Sequence, residues 1–238
     1  RPYRDDRGPR YAQSRATFPF MRLSLASAGL QDWNGDVLAV GLLKTEENSS
    51  TRTLCERFPG LEAMLELQEF KGKPGDSLVL HPMRDGAPAR LIVMGLGEPE
   101  SLGLDGLRKA AAKAARSAIG CTGKLGLVLP WDGLEPNSAA CAVAEAVRLA
   151  LYTDQRFRKD ADPRRIPESL ELIGLPAQAA AGLNDVNAHC AGVELARELV
   201  AAPPNHVTPA ALADTSAQLA RDHGLELKVL ERADCEAR

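Results

Sequence analysis

The chain has 238 residues, of which 45% are hydrophobic and 4% aromatic, and its formal net charge is −3. That length suits one large domain, or one domain and part of another. A charge this small gives no global pull toward nucleic acid, and no run of residues approaches the apolar length of a membrane span.

Residues 1–20 (RPYRDDRGPRYAQSRATFPF) are arginine-rich, broken by proline, and carry neither a helical nor an alternating period. They are expected to be a disordered extension outside the fold. From Met21 the pattern is that of an α/β domain, expected over 21–176. Val37 to Leu43 is a short apolar run bounded by Asn34-Gly35-Asp36, which predicts a strand buried on both faces. Leu54 to Gln68 predicts a helix interrupted at Pro59-Gly60, and Lys71 to Asp76 is turn chemistry. Leu78 to His81 and Leu91 to Gly95 predict two more strands, joined through Arg84-Asp85-Gly86 by a hairpin-type connection. Gly95-Leu96-Gly97 resembles the start of a dinucleotide fingerprint, but Glu100 stands where its third glycine belongs, so it predicts a tight turn.

Asp105 is a suitable cap for a helix over 106–119, which Gly120 would end. Its small face would be Leu107, Ala110, Ala111, Ala114 and Ala118, with Arg108, Lys109, Lys113 and Arg116 opposite, toward solvent. Lys124 to Leu129 predicts a strand, and Ser138 to Leu151 a helix apolar through Ala140, Val143, Ala144, Val147 and Leu151. Tyr152 to Pro167 is polar and proline-rich, a surface connection, and Leu170 to Leu175 is expected as the last strand of this domain. Strands alternating with helices imply a three-layer α/β domain with a mixed or parallel sheet.

A long helix is predicted over 177–202, roughly 39 Å at 1.5 Å per residue, linking two bodies. Val186, Cys190, Val193 and Val200 would form its stripe, and Pro203-Pro204 would end it. Thr208 as cap and Pro209 at the first helical position open another helix, closed at His223-Gly224. Leu225 to Leu230 then alternates as a half-buried strand would, and Ala233 to Arg238 forms the next helical turn. Such a helix-strand unit cannot bury its own apolar face. The expectation is that 203–238 is the truncated beginning of a second domain.

The motifs for chemistry are sparse. The histidines, His81, His189, His206 and His223, include no helical metal pair, and the cysteines, Cys55, Cys121, Cys141, Cys190 and Cys235, lie at neither metal-knuckle nor redox spacing. His189 and Cys190 are neighbours in sequence and point in different directions on a helix. No Gly-x-Ser-x-Gly elbow and no phosphate loop occurs.

Residues 194–237, with Leu195-Ala196-Arg197, Leu199-Val200, Pro203-Pro204-Asn205 and Thr208-Pro209, resemble the opening of the catalytic domain of the leucyl aminopeptidases, the M17 metallopeptidases. Members often have asparagine where Ala201 stands. The upstream order, with Asn34-Gly35-Asp36 and the glycine turn at Gly95, is also similar to that family's macro-like N-terminal domain. The resemblance implies a cytoplasmic homo-hexameric enzyme that removes N-terminal amino acids, preferably leucine, from peptides, using two divalent cations, manganese or zinc. The family's lysine, aspartates, glutamate and arginine lie in segments absent here, so no catalytic, cofactor-binding or metal residue is assigned. The chain alone is expected to hold no metal pair and to be inactive. Two other roles are open: an ADP-ribose or nucleotide module with its site in the loops after Gly95 and Pro130, and a DNA-contacting or oligomerisation role through the basic face of 108–116 and the arm of 1–15.

Overall fold

The computed structural model describes residues 21–44, 49–83, 86–160 and 164–237. The expected extension at 1–20 and the Arg84-Asp85 part of the expected hairpin lie outside the described residues. The chain forms two compact bodies. The larger contains the described residues through 153 together with those of 160–194, and the smaller contains 154–159 and 195–237.

The larger body is built on six strands: β1 (Arg22–Leu25), β2 (Val37–Leu43), β3 (Ser77–Leu80), β4 (Arg90–Gly97), β5 (Lys124–Val128) and β6 (Ser169–Ile173). They lie in the order β1-β6-β5-β2-β4-β3. All pair in parallel except β3 with β4, which is antiparallel, as the expected hairpin-type connection requires. β2 is central, with Leu38 opposite Leu91 on one side and Gly126 on the other. Its residues Val37 to Val40 are fully buried. An unbroken apolar run is what such a position selects, because a parallel strand covered on both faces has no side left for water.

Two helical layers cover the two faces. Val37, Ala39, Ile92, Met94, Leu125, Leu127, Leu170 and Leu172 meet α3 (Leu104–Ser117) and α4 (Pro136–Leu151). The alanines expected on the small face of α3 are buried, and so is the expected apolar stripe of α4. These helices lie against each other, and short side chains on both let their axes approach. On the other face Leu38, Val40, Leu42, Leu91, Val93 and Ile173 meet Leu54 of α1 (Ser49–Arg57), Phe58, and Leu61 of α2 (Leu61–Leu67). The break between α1 and α2 falls at Pro59-Gly60, where Gly60 takes a φ of 87°. The result is a three-layer α/β domain with a mixed sheet.

Trp33 seals the second face. It is 2% exposed, and its indole lies over the two positions that lack a side chain, Gly35 and Gly126. Its Nε1 donates to Glu171 on β6 at 2.7 Å, and its carbonyl accepts from Arg57 of α1 at 2.5 Å. Lys124 completes the cluster, with Nζ 3.1 Å from Glu171. A buried indole needs a partner for its only donor, and Glu171 supplies it.

Several elements differ from expectation. β1 carries no apolar run; only Leu23 and Leu25 turn partly inward, and it forms because it pairs with β6. α3 starts at Leu104, capped by Gly103, so Asp105 is a first-turn residue and not the cap. α4 starts earlier than expected, with Glu135 as its cap. The helix expected over 177–202 is two pieces: a 3-10 helix Ala177–Leu183, then α5 (Val186–Ala201). The break has a packing reason. Gly182 sits against Asn137 at the start of α4, its amide accepted by Asn137 Oδ1 at 3.1 Å, and an added Cβ there would lie 2.1 Å from a backbone oxygen. Of the expected stripe on α5, Val186 and Cys190 are buried, but Val193 is 40% and Val200 87% exposed.

In the smaller body α6 (Pro209–His223) begins as expected, with Thr208 Oγ1 accepting from the Ala211 amide at 3.2 Å and Pro209 next. It ends at Gly224 with φ 64°. α7 (Arg232–Glu236) is opened by a reciprocal cap between Glu231 and Asp234. Leu225 to Leu230, expected as a strand, has no regular structure, and its alternating Leu225, Leu227 and Val229 are exposed. A strand exists only through pairing, and no described strand pairs with it.

Gly95 provides a test of the close approach between β4 and the 71–76 turn. A Cβ there would lie 2.3 Å from the Lys73 carbonyl oxygen, whereas at Gly29 it would meet nothing within 4 Å. Gly95→Ala is expected to cost about 1–3 kcal/mol in urea denaturation, as overpacking does, and Gly29→Ala to leave stability nearly unchanged. A second measurement concerns Glu135, whose carboxylate accepts the amides of Asn137 (2.9 Å) and Ser138 (2.6 Å). Hydrogen bonds from the Ser138 side chain and from those amides hold its pKa at about 2, below the ordinary 4.5. A depressed carboxylate stabilises the fold above its unfolded pKa and loses that contribution as pH falls through the window from about 4.5 to about 2. The stability gap between the parent chain and Glu135→Gln is therefore expected to close across that window, read as urea midpoints against pH.

Candidate functional site

Polar side chains gather on the seam between α4 and the first half of α5, within the larger body. Arg148 of α4 is only 9% exposed. It holds Glu194 of α5 with both arms, Nε to Oε1 at 3.0 Å and Nη2 to Oε2 at 2.9 Å. Nη1 also reaches the Asn187 side chain at 2.5 Å. A paired fork of this kind fixes both distance and orientation, which a lysine would not do.

One turn earlier on α4, Cys141 and Glu145 stand four residues apart and so share a face. His189 of α5 meets them, with Nδ1 2.8 Å from Glu145 Oε1. The thiol, a carboxylate oxygen and a ring nitrogen of these three residues all lie within 4.8 Å of one another. Burial raises the Cys141 pKa, and the nearby Glu145 charge raises it further; Asp185 acts in the same sense and Arg108 in the opposite one. Cys190, next to His189, is fully buried, and burial pushes its thiol up to about 11. The expectation that His189 and Cys190 point apart holds: one is exposed, the other lies in the core. Reading the cysteines and histidines separately missed the cluster. The signal for half of it was present as Cys141-x-x-x-Glu145 on a predicted helix; the other half needed the crossing of α5.

The smaller body has its own anchor. Arg156 bonds Asp154 through Nε at 2.9 Å and Nη2 at 2.7 Å, and donates to the Glu198 carbonyl at 2.6 Å. The hydrogen bond from Arg156 holds the Asp154 carboxyl below its usual range. Arg156 also lies over the Phe157 ring, 5.3 Å from its centroid, and that ring meets His206 at 5.1 Å.

Of the loops considered for a nucleotide, the one after Gly95 begins in close packing: an added Cβ would lie 2.3 Å from the Lys73 oxygen at Gly95 and 2.7 Å from Pro74 at Gly97. On the basic face of α3, Arg108 pairs with Asp105 at 2.9 Å and Lys113 donates to the Gly75 carbonyl. No helix among the described residues is long and apolar enough to cross a membrane. The Cys141–Glu145–His189 group has one carboxylate, whereas a bridged pair of hard cations needs several. This group therefore does not fit such a pair, and none of its residues is assigned to it. Replacing Arg148 by methionine leaves Glu194 buried without its partner; the expected loss is about 3–5 kcal/mol by chemical denaturation, with most of it recovered when Glu194→Leu is added.

The cytosol aminopeptidase family, N-terminal domain, matches residues 37–161. A probable cytosol aminopeptidase of Parasynechococcus marenigrum is 66% identical over 218 residues, which are 92% of this chain and 44% of that protein. One from Prochlorococcus marinus (strain MIT 9313) is 53% identical over 221 residues, with the same shares. Among solved structures, a mutant of tomato leucine aminopeptidase matches with a TM-score of 0.83 at 26% identity, over 94% of this chain and 47% of that one. The bottromycin maturation enzyme BotP in complex with Mn matches with a TM-score of 0.63 at 26% identity, over 85% of this chain and 40% of that one. The chain thus spans less than half the length of the curated relatives it matches. By the family match across residues 37–161 and the identity to those relatives, the chain belongs to the cytosol aminopeptidase family and carries its N-terminal domain.

Proposed function

We propose that this chain serves a leucyl aminopeptidase, an enzyme that releases N-terminal amino acids, leucine by preference, from peptides. The observation that carries the reading is the likeness to tomato leucine aminopeptidase over 94% of this chain. The reacting groups belong to the portion of the relatives that this chain does not span. Two divalent cations, manganese or zinc, would there activate a water and polarise the scissile carbonyl. Manganese is supported by its presence in the BotP complex. The chain by itself is inactive in this reading, and the whole enzyme is a cytoplasmic homo-hexamer acting on peptides with a free N-terminus.

The described residues have a mechanical part in this scheme. The larger body is a three-layer domain with its own core on both faces of the sheet. The smaller body exposes Leu225 (62%), Leu227 (41%) and Val229 (45%) at alternate positions. Alternation is the pattern of a strand with one face buried, and leaving such residues in water forfeits their transfer free energy. The peptidase domain supplies their cover by pairing with residues 225–230.

A chimera tests the reading. Residues 21–238 of this chain replace the matching part of the Parasynechococcus relative, and leucine release from a leucine anilide is assayed with manganese. Turnover is expected from the chimera and none from the present chain alone. A folded, inactive chimera, or an active isolated chain, would overturn the proposal. In the chimera Leu227→Asp is expected to lower the thermal midpoint and the activity together, while in the isolated chain the same change leaves the midpoint unaltered.

A further inference from the structure

We propose that Cys141, Glu145 and His189 form a binding site for one zinc-class divalent cation on the seam between α4 and α5. The site is separate from the cation pair of the peptidase reaction and does not depend on that reading.

The argument starts from spacing. Residues i and i+4 of a helix stack on one face, so Cys141 and Glu145 present a sulfur and a carboxylate in the same direction. α5 then brings the imidazole of His189 to 2.8 Å from Glu145. The three ligand atoms are within 4.8 Å of one another. A tetrahedral zinc ion with bonds of about 2.0–2.3 Å wants its ligands about 3.5 Å apart. The His189–Glu145 pair, at 2.8 Å, must open slightly while wider separations close by about an ångström at most, and the two ends of the site differ in their freedom to supply this. Cys141 and Glu145 are half-buried on α4, one of the two helices that cover the sheet, whereas the His189 side chain is 58% exposed and can turn. Arg148 and Asn187 tie α5 to α4 beside the site, so the backbone span is already fixed. Such preorganisation keeps the entropic cost of gathering the ligands low.

The donor set decides the class of ion. One sulfur, one imidazole nitrogen and one carboxylate oxygen suit zinc or cobalt, and they suit magnesium, calcium and manganese poorly. On binding, the thiol proton leaves to solvent and the thiolate sulfur takes its place with the metal. Three protein ligands with an exposed histidine leave a fourth position for water. The neighbouring thiol of Cys190 faces the core and is no ligand, which makes it an internal control.

The experiment uses cobalt(II) on the purified chain, kept reduced with a phosphine. One equivalent is expected to produce a thiolate-to-cobalt charge-transfer band in the near ultraviolet and the intense visible bands of tetrahedral cobalt, both displaced by zinc and neither by manganese. Cys141→Ser is expected to abolish the charge-transfer band, and His189→Ala to weaken cobalt binding at least about tenfold. Cys190→Ser and Cys235→Ser retain both signals. Zinc is also expected to raise the melting temperature of the parent chain and not that of Cys141→Ser. No thiolate band at saturating cobalt, or a band that survives Cys141→Ser, would overturn the proposal. If Cys141→Ser fails to fold, the exposed His189→Ala decides: unchanged cobalt affinity in that folded variant also overturns it. None of these readouts is peptidase activity, so failure here and failure of the chimera are distinct results.

Discussion

A strand paired on both edges and buried on both faces must be covered twice, and most of this structure follows from that constraint on β2. Val37 to Val40 have no solvent-facing side. One cover is the alanine-rich pair α3 and α4; the other is α1, α2 and Trp33. Each cover needs glycine where bodies come closest. Gly126 and Gly35 make room for the indole, and Gly95 makes room for the 71–76 turn. The pieces are mutually required, since removal of either layer would expose a continuous apolar run to water.

The covering helices also position everything chemical in the larger body. α4 is buried along Ala140, Val143, Ala144, Val147 and Leu151, and its Glu145 and Arg148 reach α5. Arg148 and Glu194 lock the crossing, and Cys141, Glu145 and His189 meet one turn away. The geometry of that cluster is therefore a by-product of how α4 is buried. It owes nothing to a dedicated loop.

Local pattern was enough for the elements whose burial is dictated by their own residues. The apolar runs of β2, β4, β5 and β6, the stripe of α4, the break at Pro59-Gly60 and the Thr208-Pro209 start were all legible, because each signal lies within one turn or one strand. β1 was not, since Arg22–Leu25 is a strand only by virtue of β6 beside it. The interruption at Gly182 was hidden for a similar reason: alanines favour continued helix, and only the contact with Asn137 argues otherwise. The alternation in 225–230 was read correctly as a pattern, yet a pattern specifies a strand only when a neighbour accepts its hydrogen bonds. The family was legible from the Pro203-Pro204-Asn205 region, while the members of the Cys141 cluster lie as far apart as 141 and 189 and needed the fold to assemble them.

The two rims of the sheet, β1 and β3, are each four residues long. A short rim offers few unsatisfied amides and carbonyls to another copy, so these edges are poor templates for intermolecular stacking. The longer, mostly apolar strands β2 and β4 are both interior. The larger body is thus guarded against edge-to-edge pairing by where its hydrophobic strands sit and not by a large net charge.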